Sequence, residues 1–263
     1  MASLINEPWN TLCEPLAQRI DRWTLGVRDA ATPIPGLTLF RRERVLPPDY
    51  CIIPPSIVVV VQGEKQMLVG GDAFSYDPSR YVITSLDLPA SSVVVRASPQ
   101  APCLGLAVRL DLRTIAELIA HGNVALPRDR PTAAGIGIGI GGLTPAILQP
   151  IGRLLELLDE PEAIPTLAPI FLRELHYRLL TSDQAERLRQ IASVDGQAFK
   201  VSRAIDWLKL NYAAPLRIPE LAAHVRMSAP SFHHHFRQLT AMADPRTTRP
   251  TLQMAVAFLQ RKQ

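Results

Sequence analysis

Between residues 32 and 110 the chain is cut into short apolar runs, and this limits its possible folds more than any other feature. The runs are rich in Val, Ile and Tyr, and Gly, Pro, Asp or Ser separates them at close intervals. Such runs are typical of strands, and the pairs Gly63-Glu64 and Gly70-Gly71 have the chemistry of tight hairpin turns. Seven strands are predicted, at residues 37–44, 57–62, 65–69, 73–77, 81–86, 91–96 and 104–110. Their spacing predicts an antiparallel barrel or a jelly-roll sandwich.

After residue 110 the apolar period becomes that of helices, so the chain is predicted to be α+β. Asp111 is a natural N-cap for a helix over 112–121. Further helices are predicted at 4–25, 145–159, 167–180, 184–194 and 201–212. The alternating Gly and Ile of residues 135–142 predict a connection between elements. The leucine-rich helices either form a dimer interface or simply cover the barrel, and the sequence leaves both open.

Composition excludes several classes of protein. At 263 residues and 47% hydrophobic, the chain can bury a core and is not disordered. No apolar run approaches the roughly 18 residues that span a bilayer, and no secretory signal opens the sequence. Cys13, Cys51 and Cys103 are too few and too scattered for a disulfide framework or a zinc site. A cytoplasmic protein without membrane contact is expected.

The charge balance changes near residue 196. Residues 196–263 contain ten Lys and Arg against three Asp and Glu, whereas the first 195 residues contain 18 against 21. This split predicts a smaller unit that faces a polyanion. We therefore expect three parts: a barrel with its N-terminal helix at 1–110, a helical subdomain at 111–195, and the basic segment at 196–263.

The basic segment has the dimensions of a helix-turn-helix. Two short helices are predicted at 218–225 and 229–239, with small residues where they would cross. Ser228 is a natural N-cap for the second helix, and Pro230 suits its first turn. Because Phe232 and Phe236 are four residues apart, they would anchor that helix inward. The outer face is then formed by Pro230, Ser231, His233, His234 and Arg237.

These residues resemble a known family. The string LAAHVRMSAPSFHHHFRQLTAM is similar to the first helix-turn-helix of AraC/XylS-type transcription regulators. The runs IVVVVQGEKQMLVGGDAFSYDPSRYVITSLDLPASSVV and DEPEAIPTLAPIFLRELHYRLLTSDQAERLRQIA resemble the cupin-like effector domain of one AraC subgroup and the helices that follow it. The resemblance covers roughly residues 15 to 242.

The resemblance implies a regulator that responds to a small molecule or a stress, often as a dimer, and that places recognition helices in the DNA major groove. Pro230, His233 and His234 then face bases, since neutral imidazole can bond a base edge. Ser231 and Arg237 lie nearer the phosphates. Ser228, at the start of the helix, completes the implied DNA-binding set.

One departure from the family concerns the C-terminal end. Members normally continue with a linker helix and a second helix-turn-helix, but residues 243–263 predict neither, and only 251–260 has helical character. A single module makes fewer phosphate contacts, which lowers affinity for DNA. The alternative function is thus an effector-binding or dimerisation module without autonomous DNA binding.

Enzymatic, cofactor and metal sites are not expected. The adjacent histidines 233–235 point about 100° apart on a helix, so they cannot converge on one ion. No histidine precedes His121, which argues against a cupin isomerase or oxygenase with a histidine-bound metal. The glycines of 137–142 match a dinucleotide fingerprint in spacing only, because the required strand and helix context is missing.

Candidate effector-binding residues lie in the predicted barrel. Cys51 is either a small buried hydrophobe or a reactive thiol that senses electrophiles or oxidants. The other candidates are aromatic or sulfur-containing side chains for which core packing is the alternative: Tyr50, Met67, Tyr76 and Tyr81. The sequence does not identify the effector.

Overall fold

A computed structural model describes residues 7–121, 137–192, 196–211 and 218–240 of the chain. Within these ranges, helix α1 (Glu7–Trp23) is followed by nine strands: β1 (Asp29–Ala31), β2 (Leu37–Arg42), β3 (Leu46–Ile53), β4 (Ser56–Gln62), β5 (Glu64–Val69), β6 (Asp72–Tyr76), β7 (Arg80–Thr84), β8 (Leu88–Arg96) and β9 (Cys103–Arg109). A tenth strand, β10 (Ile138–Gly142), follows helix α2 (Leu112–Ala120).

The strands form two antiparallel sheets. Six strands pair in the order β1-β2-β9-β4-β7-β10, and four pair in the order β3-β8-β5-β6. The inner side chains of the two sheets belong to one apolar cluster that includes Phe40, Val58, Met67 and Val94. The fold is therefore α+β with a cupin-like double sheet, as predicted, and each of the seven predicted strands is present with shifted ends.

Strand β3 was not predicted because it contains Pro47 and Pro48. Proline cannot donate to a ladder, so it is confined to edge strands and bulges. Here β3 is an edge of the four-stranded sheet, and its register against β8 shifts between Leu46 and Asp49, where the prolines lie. The strand therefore tolerates a pair of residues that usually ends one.

The prediction that residues 135–142 form a connection is wrong for residues 138–142. They form β10, which pairs antiparallel with β7 along its whole length, from Ile138 opposite Thr84 to Gly142 opposite Arg80. The alternation of Gly and Ile is the two-residue period of a strand. Residues 135 and 136 lie outside the described residues.

Helices cover the outer face of the six-stranded sheet. They are α3 (Pro145–Glu156), two 3-10 turns over Leu157–Asp159 and Pro161–Ala163, α4 (Ile164–Leu180) and α5 (Ala185–Ala192). Their buried leucines and isoleucines form one cluster with α1 and with Leu39, Ile57 and Ile83 of the sheet. No described helix combines the length and the apolar character needed to cross a membrane.

Three further helices complete the described chain: α6 (Gln197–Leu210), α7 (Ile218–His224) and α8 (Ala229–Thr240). Their core residues, among them Ile205, Leu221, Phe232 and Phe236, belong to the same apolar cluster as the inner sheet residues. A backbone hydrogen bond from Gly137 N to Leu239 O, 2.5 Å long, joins the end of α8 to the start of β10. Helices α6, α7 and α8, called the basic helices below, are thus packed onto the barrel.

Candidate nucleic-acid interface and effector cavity

A tight turn of residues 225–228 joins α7 to α8. Met227 N donates to Ala222 O at 2.9 Å and Arg226 N donates to Ala223 O at 3.0 Å. These two bonds satisfy the last carbonyls of α7 in the pattern of a Schellman motif. Arg226 takes the left-handed position, with φ 56°, which glycine usually occupies. The turn therefore sets a fixed angle between the two helices.

Helix α8 is held at its start and along its inner face. The Ser228 hydroxyl accepts a hydrogen bond from Ser231 N at 3.4 Å, which confirms Ser228 as an N-cap. The predicted inward anchors are confirmed as well, because Phe232 and Phe236 are completely buried and their ring centroids are 5.4 Å apart. Because the two phenylalanines hold the inner face of α8 in the core, the same opposite face always points outward.

The outward face of α8 carries the candidate DNA-binding residues. Pro230, His234 and Arg237 are exposed, and Ser231 and His233 are half-buried. The His233 ring lies edge-on to the buried Phe232 ring, with centroids 6.5 Å apart, and its remaining surface is open to solvent. This face offers imidazole donors and acceptors and one guanidinium, which are suited to base edges and phosphates.

A cavity of about 570 Å³ lies between the two sheets. Its wall includes three of the predicted effector-binding residues: half-buried Cys51 on β3, Met67 on β5 and Tyr76 on β6. Apolar side chains, such as Phe40, Ile53 and Val58, form much of the rest. A volume of this size is typical of small-molecule sites.

The other two predicted residues lie elsewhere. Tyr50 alternates with Cys51 along β3, and 52% of it is exposed. Tyr81 packs in the cluster on the opposite side of the six-stranded sheet, where its hydroxyl lies 2.9 Å from Ser182 Oγ and 3.3 Å from Asp183 Oδ1. Neither tyrosine lines the cavity.

Lys65 lies in the cavity wall and was not a predicted candidate. It occupies an inward position of β5 with Met67 and Val69, and only 7% of it is exposed. Its Nζ lies 4.3 Å from the centroid of the Phe40 ring. Burial lowers the pKa of the Lys65 amine, and the nearby Arg42 charge lowers it further. The signal was present in the sequence, since Lys65 shares the two-residue period of Met67.

Tyr76 is the cross-strand partner of Lys65 in the pairing of β5 with β6. Only 1% of Tyr76 is exposed, and its hydroxyl has no hydrogen-bond partner among the described residues. Burial raises the pKa of this phenol far above its usual value, so the hydroxyl keeps its proton. The pair places one amine and one free O–H donor on the same wall.

The other basic side chains at the cavity are paired or exposed. Arg42 Nη2 bonds Asp29 Oδ1 at 2.7 Å, and Arg109 is exposed. Among the described residues, no carboxylate lies within 4.0 Å of Lys65, the distance that defines an ion pair. Lys65 is thus the buried cation of this cavity that lacks a carboxylate neighbour.

The thiols differ in environment. Cys13 and Cys103 are buried, and burial raises the pKa of each to about 11. Cys51 is half-buried and faces the cavity. In the described part of the chain, no three His, Cys, Asp or Glu side chains are grouped so as to hold a metal ion.

The protein thus combines a double sheet that encloses a cavity with a smaller helical unit that follows it in the chain. The family model of the AraC-type transcriptional regulator N-terminus matches residues 33–187. The chain therefore belongs to the AraC-type transcriptional regulators, and the double sheet is its effector-binding N-terminal domain.

Similar solved structures are distant. Apo ToxT from Vibrio cholerae, in a lysine-to-alanine variant, aligns over 84% of this chain and 100% of its own, with 10% identity and a TM-score of 0.35. The AraC-like transcriptional activator CuxR aligns over 77% of this chain and 70% of its own, with 12% identity and a TM-score of 0.32. These values are too low to add to the family assignment. No curated protein matches the chain.

Proposed function

We propose that this protein is a DNA-binding transcription regulator that responds to a small-molecule or stress signal, with α8 as its recognition helix. The observation that carries the proposal is the division of α8 into two faces. Phe232 and Phe236 fix its inner face in the core, while His234 and Arg237 remain exposed. In this arrangement the outer face can enter a major groove without unfolding the helix.

Signal transfer would proceed through the apolar core. Cavity residues Val58 and Met67 belong to the same cluster as Phe232 and Phe236 of α8. An effector that fits the cavity better in one packing of this cluster than in another shifts the population of α8 positions. The proposed mechanism is therefore a population shift. If Cys51 is a reactive thiol, as hypothesised from the sequence, covalent modification of this cavity-wall residue is a second way for a signal to change the packing of the same cluster.

DNA binding is tested by selecting duplexes from a random library and measuring the affinity of the full chain for the enriched sequence at several salt concentrations. Replacing His233 and His234 by Ala should relax base preference, at about 1–3 kcal/mol per lost base contact. Arg237→Ala should weaken binding to all sequences and reduce the salt slope by about one unit. Arg113→Ala, at an exposed site on α2, is the matched control.

The opposite results support the alternative function. If no sequence is enriched and binding does not depend on salt, the chain is an effector-binding or dimerisation module without autonomous DNA binding. If Arg113→Ala weakens binding as much as Arg237→Ala, the outer face of α8 is not the DNA-binding surface.

A homodimer in the cytoplasm completes the proposal. Three free cysteines suit a reducing compartment. The leucine-rich helices bury their inner faces on the barrel, and Ile170 of α4 stays 56% exposed. Ile170→Asp should shift the sedimentation equilibrium toward the monomer if α4 forms the dimer contact. An unchanged equilibrium would assign the contact to another surface.

A further inference from the structure

We infer that Lys65 and Tyr76 form an anion-binding pair, and that the effector of this cavity is a small apolar molecule carrying one carboxylate. The inference deepens the proposed response to a small molecule, because it names the chemical class of the effector. Its test needs no DNA, so it can fail or succeed independently of DNA binding.

The first support is the placement of Lys65. An inward position of an alternating strand normally carries an apolar residue, and Met67 and Val69 fill the next two. A lysine there is removed from water, and a buried ammonium needs a counter-charge. Within the described residues its close partner is the Phe40 ring, 4.3 Å away. A ring face attracts a cation but does not neutralise it.

The second, independent support is the Tyr76 hydroxyl. Buried hydroxyls nearly always have a hydrogen-bond partner, yet this one has none among the described residues. It lies in the wall of the same cavity as Lys65, directly across the strand pair. A ligand oxygen in the cavity would satisfy both groups.

The charged and titratable groups on the neighbouring strands favour an anionic ligand next to Lys65. The groups that influence the Lys65 amine are Arg42 on β2, Cys103 on β9, Cys51 on β3 and Asp29 on β1. Arg42 and Asp29 already bond each other. Burial keeps the Cys103 thiol protonated, since it raises the pKa of that group to about 11. When Lys65 is protonated, it is therefore the uncompensated charge of this wall.

The number of hydrogen-bond donors and the apolar walls of the cavity narrow the chemical class of the effector further. Two donors match the two oxygens of a carboxylate, whereas a dianionic phosphate would bring one more charge than Lys65 compensates. A neutral carbonyl or alcohol would leave the ammonium buried without a counter-charge. The remaining walls, with Phe40, Ile53, Val58 and Met67, favour an apolar body.

The test uses calorimetry on the full chain with butyrate, octanoate, benzoate and 4-phenylbutyrate, each paired with the alcohol of the same skeleton. At least one acid should bind ten or more times tighter than its alcohol. Lys65→Met should abolish that preference, and Tyr76→Phe should weaken acid binding several-fold. Lys200→Met, a lysine on α6 outside the cavity wall, should change neither. Thermal melting of each variant shows that it is folded.

A proton-uptake measurement separates the ion pair from nonspecific apolar binding. Because burial lowers the pKa of the free Lys65 amine and a carboxylate neighbour raises it, acid binding should take up protons at any pH where the free amine has lost part of its charge, and titrations at several pH values locate that range. The binding enthalpy should then differ between phosphate and Tris buffers, and this difference should vanish in Lys65→Met. The inference is overturned if no acid binds, if acids and alcohols bind equally, or if folded Lys65→Met keeps the preference.

Discussion

At the scale of single residues, the glycines of β10 make room for side chains from other elements. A Cβ on Gly139 would lie 2.8 Å from Arg187 Nε, and one on Gly141 would lie 2.6 Å from Cε1 of the Tyr81 ring. The isoleucines that alternate with these glycines, Ile138 and Ile140, face the other way, and Ile138 is buried in the inner cluster. Glycine on this face therefore leaves room for the Tyr81 ring of the neighbouring strand and for the Arg187 side chain of α5.

Gly141→Ala should lower the free energy of unfolding by about 1–3 kcal/mol, because the added methyl overlaps the Tyr81 ring and overpacks the site. Gly142→Ala is the control, since the nearest atom to a Cβ there is Asp183 Oδ2 at 4.0 Å. Denaturant unfolding monitored by circular dichroism checks both variants. Equal effects of the two substitutions would contradict the steric explanation.

The surroundings of His176 determine its protonation state. Its Nε2 accepts a hydrogen bond from Asp111 N at 3.0 Å, so Nδ1 carries the proton and donates to Leu172 O at 2.5 Å. Burial lowers the pKa of this imidazole, although Leu172 O and Asp111 favour the charged form. A second proton on Nε2 would face an N–H donor.

Stability should therefore fall as the pH drops. The unfolded chain protonates His176 below its ordinary pKa of about 6.5, while the folded protein does so only at a lower pH. The contribution of the neutral ring is complete above that pH and is lost progressively below it. Urea midpoints between pH 7.5 and 5.5 should decline less steeply in His176→Gln than in the wild type. His121→Gln, at an exposed histidine, should keep the wild-type slope.

Lys65 shows how far single residues can be read from the sequence. It is the first lysine in the chain, and the next is Lys200, although the protein has 28 basic residues. Its position two residues before Met67 places both side chains on one face of a strand. Those two signals were available, but the cross-strand partner Tyr76 was not, because pairing of β5 with β6 depends on a register that residue types alone do not determine.

At the scale of elements, regular periodicity was sufficient for prediction and special backbone geometry was not. The helices at 112–121 and 229–239 were predicted within a few residues of α2 and α8, because their apolar residues repeat every three to four positions. Strand β3 was missed, since Pro47 and Pro48 are tolerated only through its edge position and shifted register. Strand β10 was missed because glycine is rare in strands.

Two substitutions of Ser228 distinguish its role as the N-cap of α8 from its proposed role in DNA contact. Ser228→Ala removes the hydroxyl that accepts from Ser231 N and should cost about 0.5–1 kcal/mol of stability. Ser228→Asp keeps a capping oxygen and suits the helix dipole, so stability should hold. Its added negative charge should weaken binding to any duplex. Thermal melting and duplex titration measure the two effects. Loss of stability in Ser228→Asp would contradict the capping role.

At the scale of the whole molecule, the basic helices and the barrel have one continuous core. The cluster that fills the double sheet continues through Leu86, Ile138 and Leu239 to Phe232 and Phe236. The charge split near residue 196 predicted a separate unit but gave no information on how that unit packs. Packing of this kind depends on matching surfaces that are distant in sequence.

The continuous core predicts one cooperative unfolding transition. With Trp9 and Trp23 replaced by Phe, the fluorescence of Trp207, whose ring lies 6.1 Å from that of His224, reports on the basic helices. Its denaturant midpoint should coincide with that of the circular dichroism signal, which is dominated by the rest of the chain. An earlier Trp207 transition would show that these helices unfold independently.

The bond between Gly137 N and Leu239 O also bears on how α8 ends. The last carbonyls of a helix have no partner within it unless the helix is prolonged. A helix prolonged by another turn beyond Thr240 would direct one of its own amides to the Leu239 carbonyl, which already accepts from the glycine amide. Because a carbonyl oxygen can accept two hydrogen bonds, elongation of the helix and its attachment to the barrel would share one acceptor.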